Sequence, residues 1–139
     1  MKSRETLIRL KKFQVDDMRR RVTQIEAMIA DFRRMSDELE REIATEQERA
    51  GIDDPTHFAY PTYAKAAIGR RENLLQSAAE LEAQLDDARA QLADAFEELK
   101  KVELLDERDQ ARGRMEDDAR EQADLDSIGL MRSRIGATA

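Results

Sequence analysis

Acid–base or metal chemistry in this chain could draw on one histidine, His57, and on side-by-side carboxylates: Asp16-Asp17, Asp86-Asp87, Glu97-Glu98 and Asp117-Asp118. A general base needs a partner within hydrogen-bond reach in a concave site. His57 has no Ser, Cys or metal-ligand neighbour at a recognised spacing. Neighbouring residues on a helix do not face the same point, so the paired acids do not share a site; they read as solvated faces. The chain has no cysteine, hence no thiolate nucleophile and no disulfide framework. One histidine without cysteine argues against a zinc site. These residues predict no enzyme, no metal and no cofactor.

The side chains that remain are suited to binding. The stretch GIDDPTHFAYPTYAKAA, residues 51–67, holds both prolines, the histidine, both tyrosines and Phe58. Elsewhere charged residues dominate: 40% of the chain is charged and 4% aromatic, with no Trp. Such a chain cannot fill a broad core, and its makeup points to long helices or a coiled coil. The net charge is −7, so the chain is a poor match for nucleic acid. Residues 1–35 are nonetheless basic and the rest acidic, which suits an acidic protein partner for the first third. The N-terminus lacks the apolar stretch of a signal peptide. No apolar run has the length of a membrane span, so direct membrane insertion is not expected and a cytoplasmic location is.

Two heptad runs position these groups. The first reads Ile8, Lys11, Val15, Met18, Val22, Ile25, Ile29, Phe32, Ser36, Leu39, Ile43, Glu46 and Ala50, apolar except for Lys11, Ser36 and Glu46. The second reads Ala64, Ala67, Arg71, Leu74, Ala78, Leu81, Leu85, Ala88, Leu92, Ala95, Leu99 and Val102, with Arg71 the exception. Such a repeat lies on one face only of a slightly supercoiled helix. Ser3 suits an N-cap, Gly51 a left-handed helix end, and Pro61 the first turn of a helix. Asp54-Pro55 suggests a separate cap and short helical turn. Bulky residues in one seam and Leu alternating with Ala in the other favour close interdigitation.

The short corner makes the helices antiparallel neighbours. The expected fold is therefore all-α: a long antiparallel two-helix coiled-coil hairpin over residues 1–112, with a partly disordered C-terminal tail. Helix 1 is expected over about 3–50, the corner over 51–62 and helix 2 over about 63–112. At 1.5 Å per residue, some 45 helical residues span roughly 65–70 Å. The seam fails after Val102, where Asp106 and Asp109 take the next positions. Residues 113–139 are expected as a frayed helix or disordered segment, ending in an amphipathic patch of Leu125, Ile128, Met131 and Ile135.

Candidate contact residues fall in three places. Leu7, Leu10 and Phe13 occupy g, c and f positions, off the seam. They either meet a partner or touch the returning tail through Leu104, Leu105 or Met115. Arg19, Arg20 and Arg21 flank the seam at e, f and g. They read as ordinary solvated charges or as a docking patch for an acidic partner. At the corner, Phe58, Tyr60 and Tyr63 either fold over the open end of the seam or present an aromatic knob. Arg71 is placed to pair with Glu46 across the hairpin.

The segments MKSRETLIRLKKFQVDDMRRRVTQIEAMI, GIDDPTHFAYPTYAKAA, RRENLL and ELKKVELLDERDQ resemble the FliJ-type flagellar export proteins, especially the alphaproteobacterial branch. The resemblance covers roughly residues 1–112, and the corner is its most specific part. It implies a small cytoplasmic component of the flagellar type III export apparatus, peripheral to the inner-membrane basal body. It also implies an antiparallel coiled coil similar to the gamma-subunit stalk of rotary ATPases. The implied partners are the hexameric export ATPase, whose ring takes the paired chain ends, and the cytoplasmic domain of the export gate. The implied role is to promote ring assembly, couple ATP hydrolysis to substrate entry and help cycle export chaperones. No short motif carries the family's contact residues, so Leu7, Leu10 and Phe13 are assigned to the ring from their off-seam positions. Without the resemblance, the heptads fit a generic coiled-coil adaptor or an export chaperone that binds secreted subunits.

Overall fold

The computed structural model describes residues 2–138, with side chains from Arg4 to Gly136. Two helices account for nearly all of it: α1, Lys2–Ala50, and α2, Thr62–Thr138. They form an antiparallel hairpin. Glu26, Arg33 and Glu42 on α1 bond to Arg89, Glu82 and Tyr63 on α2, so one number falls as the other rises.

The heptad reading locates the interior. From Ile8 to Glu46 and from Ala64 to Val102, every seam residue is buried or half-buried; Ala50, at the end of α1, is exposed. α1 begins at Lys2, one residue before the expected cap, and the side chain of Ser3 lies outside the described residues. Gly51 ends the helix with φ 68°, where a Cβ would be strained. Its N–H donates to the Gln47 carbonyl at 2.9 Å. Pro61 stands just before α2, not inside its first turn, and its carbonyl accepts the Lys65 N–H at 3.1 Å.

The packing divides into two units. The larger, Phe13–Phe96, carries the apolar cluster of Val22, Ile25, Ile29, Leu81, Leu85 and Ala88, with Phe32 and Leu92 against it. α2 brings small residues to the interior beside its leucines: Ala64, Ala67, Ala78 and Ala88 are all buried. The ion pairs Arg33–Glu82 and Arg89–Glu26 flank this seam. Their side chains are about half exposed, so each adds little to what the apolar cluster supplies.

The second unit comprises Met1–Lys12 and Glu97–Ala139. Its seam does not stop at Val102 as expected. Asp106, Asp109 and Gly113 continue it as half-buried positions, because Arg4 across the hairpin binds the Asp109 carboxylate. Residues 113–139, expected as a frayed helix or disordered segment, continue α2 as far as Thr138. From Arg114 to Gly136 all are exposed, so the helix there rests on local terms. Arg120 with Asp117, and Gln122 with Asp126, are such neighbours.

Candidate interaction surfaces

The corner separates its three aromatics. Two successive turns shape it: the His57 N–H donates to the Asp54 carbonyl, and the Tyr60 N–H to the His57 carbonyl, each at 3.1 Å. The first falls at Asp54-Pro55, where a cap and a short helical turn are expected, and is a single turn. The Asp54 carboxylate accepts the Thr56 hydroxyl at 2.7 Å and its N–H at 2.9 Å. Those two bonds, the hydroxyl foremost, hold Asp54 below the usual carboxylate range. The Ala59 N–H donates to His57 Nδ1 at 3.0 Å, so the proton of the neutral ring sits on Nε2.

Within this frame Tyr60 is 7% exposed and Phe58 96%. The Tyr60 hydroxyl accepts from Gln47 Nε2 at 2.8 Å. Phe58 stacks on His57 with ring centroids 4.7 Å apart. Tyr63 is half exposed; its hydroxyl donates to Glu42 Oε2 at 2.7 Å. That bond raises the phenol above its ordinary range, since ionisation would lose the donor and oppose two anions. Of the three aromatics, then, only Tyr60 closes the seam. Tyr60→Ala costs about 3 kcal/mol of stability, whereas Phe58→Ala leaves stability within about 0.5 kcal/mol. Urea melts of both variants check this; equal losses would contradict the division.

Arg71 does not reach Glu46. Glu46 pairs instead with Arg49, 3.5 Å away on its own helix, where three residues of spacing bring the groups together without crossing the hairpin. Arg19, Arg20 and Arg21 are exposed. The guanidinium of Arg19 lies 5.9 Å from the ring centre of Phe96 and 3.9 Å from Asp16. Phe96 was missed in the sequence, though its place beside Ala95 in the antiparallel register is the signal that could have found it. An open groove in the same unit is lined by Met35, Leu39 and Leu74 together with Glu38, Glu42 and Arg70.

In the terminal unit, Leu7, Leu10, Leu104, Leu105 and Met115 are all exposed. Phe13, in the larger unit, is 61% exposed. Lys11 Nζ donates to Glu98 Oε2 at 2.7 Å, and this bond holds Glu98 below its usual range. Among the described residues, no group of three or more His or acidic side chains is arranged to hold a metal ion. No helix among them is long and apolar enough to cross a membrane.

The family model described as Flagellar FliJ protein matches residues 1–136. The chain belongs to the FliJ family. Membership makes this FliJ-family chain a component of the flagellar export apparatus, in a family of structural parts of that apparatus. The match reaches well past residue 112, so the family pattern takes in the exposed end of α2. No curated protein and no solved structure matches the chain significantly.

Proposed function

We propose that the chain is a stalk-like, non-catalytic coupling component of flagellar export. Its terminal unit binds the export ATPase ring, and the cytoplasmic domain of the export gate is its second partner. Through these contacts it couples ATP hydrolysis to substrate entry and assists the cycling of export chaperones. It works in the cytoplasm, beside the inner-membrane basal body. The observation that carries this reading is the set of off-seam apolar side chains in the terminal unit: Leu7, Leu10, Leu104 and Leu105 are exposed on helices whose seam faces elsewhere. An isolated hairpin has no use for apolar side chains there, and exposed apolar patches mark partner surfaces. Phe58 supports a separate contact at the corner, since an aromatic fixed by a hydrogen-bonded turn loses little freedom on docking.

Adding the purified chain to the purified export ATPase tests the reading. Hexamer formation and ATP hydrolysis are expected to rise together. A rise in neither leaves a generic adaptor. A stable one-to-one complex with secreted subunits, without any change in hydrolysis, makes the chain a chaperone.

A further inference from the structure

We infer that the two helical segments of the terminal unit are held by an ionic clasp that opens as salt rises, while the apolar seam of the larger unit stays closed. The chemistry at the seam positions differs between the units. In Phe13–Phe96 the interior is the cluster around Val22, Ile25, Ile29 and Leu85. In the terminal unit, Leu99 is the sole buried apolar side chain among the described residues, and Ile8 and Val102 are half-buried. Two ties from α1 to α2 in this unit are charged. Lys11 Nζ holds Glu98 Oε2 at 2.7 Å. Arg4 binds the Asp109 carboxylate and also donates to the Leu105 carbonyl at 3.2 Å. Asp106, half-buried, lies on the same seam.

Screening decides how such ties behave. The four side chains are between 21% and 55% exposed, so dissolved ions reach them. The Debye length falls from ~10 Å at 0.1 M salt to ~3 Å at 1 M, which weakens these pairs. Apolar contact does not weaken with salt in that way. Leu99 with half-buried Ile8 and Val102 makes a thinner apolar contact than the cluster of the larger unit. Opening exposes Ile8, Leu99 and Val102 beside Leu7, Leu10, Leu104 and Leu105, so one event enlarges the apolar surface. This inference stands on the seam alone and does not depend on the ATPase reading.

The test uses paired spin labels on the full chain, which has no native cysteine to remove. Thr6→Cys with Ala111→Cys reports the terminal unit; Ala30→Cys with Gln84→Cys reports the larger one. Between ~0.05 and ~1 M NaCl, the first distance should broaden and lengthen by on the order of a helix diameter, ~10 Å. The second should not move. Arg4→Leu combined with Asp109→Leu places apolar side chains at those seam positions and should hold the first distance constant at all salt. The exchanged pair Arg4→Asp with Asp109→Arg should restore the salt response. A first distance that ignores salt in the parent chain would overturn the clasp. So would both distances lengthening together, or the leucine variant opening as the parent does.

Discussion

Leu85→Ala lowers the unfolding free energy of the hairpin by about 2–4 kcal/mol. Leu85 is buried among Val22, Ile25, Ile29, Leu81 and Ala88. Truncation removes its own burial and leaves a void that stiff β-branched neighbours cannot collapse into. A hairpin has one apolar stripe on each helix, so its total stability is small and this loss is a large part of it. Ala88→Leu errs in the opposite direction and costs about 1–3 kcal/mol. Ala88 is 2% exposed, so no room exists for three further carbons between the helices. Urea and thermal melts followed by circular dichroism measure both. A loss under about 1 kcal/mol for Leu85→Ala would mean that this cluster does not hold the hairpin together.

If the chain stimulates the export ATPase as proposed, Leu7→Glu combined with Leu10→Glu is expected to abolish that stimulation and to leave helix content unchanged. Leu10 is 51% and Leu7 39% exposed, so neither belongs to the buried interior, and Glu is a good helix former. Each leucine buried at a partner is worth about 1.5–3 kcal/mol. Losing both weakens binding by about 100-fold or more. Phe13→Glu, in the larger unit, is measured separately, so that its contribution is not assumed to share a surface with the leucines. Full stimulation by the double variant, with circular dichroism matching the parent, would remove the terminal unit from the ATPase reading.

The seam was legible in the sequence because a heptad repeat and an exposed helix face impose different residue types at fixed spacing. Val15, Ile25, Ala78 and Leu99 are buried where that spacing puts them. Its polar continuation was not legible by the same test, which looks for apolar residues. Asp109 becomes half-buried through Arg4, 105 residues away in the chain, and nothing local to Asp109 announces that partner. The corner gives the converse case. Phe58 and Tyr60 are similar in size and two residues apart, so composition could not say which turns inward. The turns at Asp54 and His57, and the Gln47 bond to the Tyr60 hydroxyl, decide it. Arg71 and Glu46 were placed together by hairpin register, but Arg49 is nearer to Glu46 along the helix.

The antiparallel course of the chain also sets a schedule for its assembly. Glu42 finds Tyr63 across 21 residues, Arg33 finds Glu82 across 49, and Arg4 finds Asp109 across 105. The entropy lost in closing a loop grows with its length, so the pairs beside the corner form at the least cost. Each closed pair then shortens the effective loop for the next. Loop closure by itself therefore favours growth outward from residues 51–61, with Arg4 and Asp109 the costliest pair to bring together.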